Sequence, residues 1–246
     1  ARPGTLLIDM ISSGRNTGEA AGDTYVSIER VVSSNSADYV LGTQSRDFIL
    51  ARDGDDVIEG RGGDDVIDAG AGSDRIAGGL GADFLTGGAG RDAFIYFAAA
   101  EGGDFITDFQ SGEDVLEFRG FGLTGNDWFV NGLTATGGGP QILWDAATGR
   151  VLWDPDGAGA GGPALIATLQ PGSALKATDI VRIDPSASAK LNGDAQTLPG
   201  WTNFDSGKGH DIFTLPDAWT RSPPEGDLLP SFSREWMHVA DHDWMM

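Results

Sequence analysis

From Asp38 to Phe94 the chain keeps one beat. Asp38, Asp47, Asp56, Asp65, Asp74, Asp83 and Asp92 stand nine residues apart, and two places after each comes Val40, Ile49, Ile58, Ile67, Ile76, Leu85 or Phe94. Seven consecutive units hold both positions. A disordered acidic segment has no reason to keep the apolar member, so the beat calls for a folded repeat.

The six residues that end on each aspartate are rich in glycine. "AGAGSD", "GGLGAD" and "GGAGRD" are fullest, "ARDGDD" and "GRGGDD" are intermediate, and "SSNSAD" and "GTQSRD" at the front are degenerate. Such a stretch turns sharply, because glycine reaches positive φ without a side-chain penalty. The three residues that follow form a short strand whose middle side chain points inward. Two units close one flattened right-handed coil of about 18 residues. Alternate turns then stack on opposite edges, Asp38, Asp56, Asp74 and Asp92 on one, and Asp47, Asp65 and Asp83 on the other. Successive turns on an edge lie roughly 4.8 Å apart. Carboxylates that close require a cation between them. Carboxylate and backbone carbonyl oxygens are the donors on offer, and oxygen-only ligation by 6–8 donors is calcium chemistry.

These residues resemble the RTX nonapeptide family, G-G-x-G-x-D-x-U-x with U apolar, over Ser33 to Ile95. The resemblance implies an all-β protein built on a right-handed parallel β-roll, with several calcium ions between stacked turns. Carried over by position, the seven aspartates are ligands. Carbonyls at the turn positions, Gly54, Gly60, Gly63, Gly70, Gly72, Gly78, Gly79, Gly81, Gly87, Gly88 and Gly90, complete the sites. Pairs that use Asp38 or Asp47 are the weakest, since their turns lack the glycines.

Four segments follow: a lead-in over 1–32, the roll over 33–95, a β cap over 96–184, and an extended tail over 185–246 with a short terminal helix. The beat breaks in "AFIYFAAAEGGDFITDFQSGEDVLEFRGFG" (Ala93 to Gly122), which alternates apolar residues and reads as antiparallel strands closing the coil end. This stretch resembles the region after the repeats in serralysin-type secreted proteases. There the resemblance implies closing calcium ligands at Asp104 and Asp108; plain surface acids are the alternative. "QILWDAATGRVLWDPDGAG" reads as a hairpin turning at Gly149, with Trp144 and Trp153 as packing residues. Asp154 and Asp156 fit a plain turn better than a calcium loop, because the third acid is missing and Pro155 intrudes. The tail carries one lone repeat unit, with Asp211 and Phe213 in frame. It also carries prolines, spaced aromatics, and His238 and His242 four residues apart.

The composition narrows the function. Net charge is −21, which repels nucleic acid and anionic surfaces, and no apolar run approaches a membrane helix. Cysteine is absent, so disulfides and thiolate metal sites are excluded. The three histidines all lie in the tail. Neither H-E-x-x-H nor G-x-S-x-G occurs, so the chain is read as non-catalytic. The expectation is an extracellular or cell-surface calcium-binding module that folds on binding calcium, with the tail docking on a protein partner. The alternative is the non-catalytic C-terminal secretion and folding region of a serralysin-like secreted hydrolase.

Overall fold

The computed structural model describes residues 5–11, 16–21 and 29–183. Its strands are β1 (Leu7–Asp9), β2 (Arg30–Val32), β3 (Tyr39–Leu41), β4 (Phe48–Leu50), β5 (Val57–Glu59), β6 (Val66–Ala71), β7 (Arg75–Ala77), β8 (Phe84–Ala89), β9 (Ala93–Tyr96), β10 (Asp104–Ile106), β11 (Val115–Arg119), β12 (Phe129–Asn131), β13 (Gln141–Asp145), β14 (Arg150–Asp154), β15 (Ala164–Leu169) and β16 (Ile180–Ile183). Two sheets face each other. One runs β1-β3-β5-β7-β9-β11-β16 and the other β12-β13-β14-β15-β10-β8-β6-β4-β2.

From β1 to β11, odd strands fall in one sheet and even strands in the other, as a nine-residue half-coil requires. The pairing is parallel and keeps identical positions level. Ile8, Val40, Ile58, Ile76, Phe94, Leu116 and Ile180 form one apolar ladder. Val31, Ile49, Ile67, Leu85, Ile106 and Leu169 form the other. All are buried between the sheets in a single core. At roughly 1.5–3 kcal/mol for each such side chain, these ladders are the main apolar force holding the coils in register.

The coil extends further than the beat at both ends. β1 and β2, in the segment read only as a lead-in, already pair with β3 and β4. At the other end, Ala93 to Arg119 is not antiparallel. β10 pairs parallel with β8, and β11 pairs parallel with β9. The turns here are longer than six residues, one of them holding a 3-10 turn at Ala99–Glu101. Longer turns break the nine-residue spacing without breaking the coil. Antiparallel pairing appears later, in the β13-β14-β15 meander. The hairpin turns at Gly149, with φ 74. Trp144 is buried, and Trp153 packs edge-on against Phe121. Asp154 accepts from the Asp156 amide at 3.2 Å, in keeping with a turn. The lone repeat at Asp211 and Phe213, His238, His242 and the terminal helix lie outside the described residues.

Candidate metal centre: two aspartate ladders

Each repeat aspartate ends a turn and points along the edge of the coil. From Asp56 and Asp65 onward, Oδ1 accepts the backbone N–H of the aspartate one coil earlier, while at the front Asp38 Oδ1 accepts from Leu6 N at 2.7 Å. On the first edge these bonds run from Asp38 N to Asp56 at 2.6 Å, from Asp56 N to Asp74 at 2.8 Å, and from Asp74 N to Asp92 at 2.9 Å. On the second they run from Asp47 N to Asp65 and from Asp65 N to Asp83, both at 2.8 Å. The expected assignment of acids to edges is therefore what the fold contains.

The longer turns extend both stacks. Asp92 N donates to Asp114 at 3.1 Å, and Asp83 N donates to Asp104 at 3.0 Å. Asp114 was not among the expected residues. The signal was present: "DFI" at Asp104 and "DVL" at Asp114 repeat the acid–x–apolar triplet, only out of step. Asp55 and Asp64, also outside the expected set, brace neighbouring turns through Ser73 N and Ala82 N. Asp108 lies against the first edge, where its two oxygens accept from Gly87 N at 3.0 Å and Gly88 N at 2.8 Å.

The second carboxylate oxygen separates the acids into two kinds. Oδ2 of Asp56, Asp65, Asp74, Asp83, Asp92 and Asp104 is buried and has no hydrogen-bond partner. At the front of the stacks the same atom is satisfied. Asp38 Oδ2 accepts from the amide and hydroxyl of Ser34, each at 2.8 Å, and Asp47 Oδ2 accepts from Thr43 N at 2.6 Å. Asp114 Oδ2 is likewise held by Gln110 N at 2.7 Å. A buried carboxylate oxygen left unpaired is costly, and six in two rows require a common partner.

Their electrostatics agree. Burial is the leading cause that raises the carboxyl pKa from 3.8 to about 8 at Asp56, Asp65 and Asp104, about 7 at Asp74, and about 6 at Asp83 and Asp92. The hydrogen bond from the preceding aspartate amide opposes the rise, and neighbouring acids add to it at each site. Tyr96, fully buried beside Asp104, is pushed well above its ordinary value by burial and by that carboxylate.

Space for an ion is also present. A Cβ on Gly60 would collide with Asp65 Oδ2 and stand 2.5 Å from Gly78 O. A Cβ on Gly78 would collide with Asp83 Oδ2, and one on Gly87 with Asp92 Oδ2. At these turns glycine leaves room against a carboxylate oxygen, and at Gly60 a carbonyl bounds the same space. Two rows of unpaired carboxylate oxygens with carbonyls beside them fit a hard dication, and calcium best, since it takes oxygen donors in flexible geometry.

A coil of two parallel-stranded faces with acidic, carbonyl-lined edges defines the class: a calcium-binding β-roll module. Residues 33–67, 41–76 and 60–94 match the model of the RTX calcium-binding nonapeptide repeat (4 copies), and the chain carries an array of these repeats over 33–94. Among solved structures, the chain is similar to the solution structure of the AlgE6R3 subunit from the Azotobacter vinelandii mannuronan C5-epimerase. The identity is 25%, covering 79% of this chain and 100% of that one, with a TM-score of 0.24. No curated protein sequence matches the chain.

Proposed function

We propose that the chain is an extracellular calcium-binding β-roll module that folds when it binds calcium and serves as a non-catalytic structural or binding subunit. The observation that carries this reading is the set of six buried, unpaired Oδ2 atoms. Asp56, Asp74 and Asp92 would hold ions on one edge, and Asp65, Asp83 and Asp104 on the other, with turn carbonyls such as those of Gly60 and Gly78 as further donors. The ions would neutralise acids that burial otherwise disfavours. Binding to the folded state alone makes ion concentration a folding switch. Calcium sites of extracellular modules work at roughly 10⁻⁴–10⁻³ M, and with sites in that range the chain would stay loose where calcium is scarce and fold after export. No helix among the described residues is long and apolar enough to cross a membrane.

The tail, with Trp219, Phe232, Trp236 and Trp244 spaced among Pro223, Pro224 and Pro230, suits docking of an extended segment in a partner's groove. The test compares the full chain with a chain truncated after Ile183. Calcium added to chelated protein should raise the β signal of both in far-ultraviolet circular dichroism, and only the full chain should capture its partner. A truncated chain without the calcium transition would place the tail in the core and refute the docking role.

A further inference from the structure

From the turn over 51–56 to the turn over 87–92 the second residue takes a left-handed backbone, and in the last three of these turns it is glycine: Gly70 at φ 106, Gly79 at φ 98 and Gly88 at φ 97. Two turns break this rule, with Arg52 at φ 80 and Arg61 at φ 76. A side chain at such a φ is strained where glycine is not. Arg52 is exposed and makes no side-chain hydrogen bond or ion pair among the described residues. Arg61 is different. Its guanidinium donates to Gly42 O at 2.8 Å and to Asp9 Oδ1 at 3.3 Å. Asp9 is fully buried, and the Arg61 side chain is only 17% exposed.

The place Arg61 reaches is defined by the repeat. Further along this edge, the first carbonyl of each turn faces the first residue of the turn before, beside an aspartate Oδ2. Gly60 O stands so against Gly42 and Asp47, and Gly78 O against Gly60 and Asp65. One coil earlier the turn-opening amides run in the same series, with Met10 N bonded to Leu41 O as Gly42 N is to Glu59 O and Gly60 N to Ala77 O. Gly42 O therefore faces the end of β1, where the acid is Asp9. A carbonyl and a buried carboxylate face each other there too, and the positive charge between them belongs to the chain.

We propose that Arg61 is a built-in cation that fills the N-terminal end position of the second ladder, so that this end is held without calcium. The inference rests on the calcium reading for the ladder but uses a separate residue and contact. It explains why a strained arginine stands where the repeat takes glycine. It also gives the roll an end that is set before any ion binds, from which ion-dependent coils extend.

The experiment compares R61G with R52G and R61K in the full chain, counting bound calcium by native mass spectrometry and following thermal midpoints at limiting calcium. Both glycine variants relieve the same backbone strain. R52G should melt higher than wild type with an unchanged ion count. R61G should melt lower and bind one ion more, as calcium enters the vacated position, and R61K should keep the wild-type count. An R61G chain that melts higher, as R52G does, with an unchanged count overturns the proposal. If the wild-type chain binds no calcium, the calcium reading fails, while opposite midpoint shifts of the two glycine variants would still uphold Arg61 as the end cation and shifts of the same sign would overturn it.

Discussion

Asp74→Asn isolates what a ladder aspartate does. Asparagine keeps an oxygen that can accept the Asp56 amide, as Asp74 Oδ1 does at 2.8 Å, and removes the charge. Asp74 is 1% exposed, and its carboxyl pKa is raised from 3.8 to about 7, chiefly by burial. Each tenfold in proton affinity is about 1.4 kcal/mol, so keeping Asp74 ionised without a cation costs on the order of 4 kcal/mol. The amide brings N–H groups into the place of Oδ2, which costs about 1–3 kcal/mol if they stay unpaired. In chelator at about pH 8, Asp74→Asn should therefore stabilise the fold by about 1–3 kcal/mol, or about 2–4 °C per kcal/mol for a chain of this size. In calcium the sign reverses. A charged ligand is lost between Asp56 and Asp92, and the calcium midpoint for folding should rise by about tenfold or more. The assay is far-ultraviolet circular dichroism, melting in chelator and titrating with calcium. A variant less stable than wild type in both conditions would refute the reasoning, because burial of charge would then not be what calcium offsets.

Asp38→Asn should shift the calcium midpoint far less than Asp74→Asn in the same titration, since Ser34 already satisfies the Asp38 Oδ2. Chelated protein should lose stability as pH rises from about 4 to about 8, because the folded state holds protons on Asp56, Asp65 and Asp104 that the unfolded state has released; urea melts across that window check it, and calcium-loaded protein should show the opposite slope as protons compete for the same oxygens. Gly81→Ala should destabilise by about 2 kcal/mol or more in denaturant melts, because Gly81 sits at φ 142 and its Cβ would collide with Gly63 O. Magnesium should induce the fold poorly in the dichroism titration, since it demands stricter octahedral geometry and keeps its waters.

The parts of this fold written as repetition were legible in the sequence. Val40, Ile58, Ile76 and Phe94 are one ladder because eighteen residues return the chain to the same place, and the division of aspartates between two edges follows from the same count. What escaped is what repetition does not encode. Asp114 was hidden because its turn is longer than six residues, although Val115 and Leu116 continue the strand pattern. The contrast between Asp38 and Asp56 depends on the amide and hydroxyl of Ser34, four residues upstream, filling the oxygen that stays bare in Asp56. Arg61 stands in "GRGGDD", a turn the sequence marks only as intermediate in glycine, and its reach to Gly42 and Asp9 depends on three-dimensional stacking across 52 residues of sequence.

The central claim is that the bare Oδ2 atoms mark cation positions. It is tested most directly by crystals grown in calcium, with anomalous difference maps to place the ions. Peaks should lie along both edges beside Oδ2 of Asp56, Asp74 and Asp92 and of Asp65, Asp83 and Asp104, with none against the Ser34-held oxygen of Asp38 or at the Arg61 guanidinium. Well-ordered coils with no peak beside those six oxygens would contradict the account.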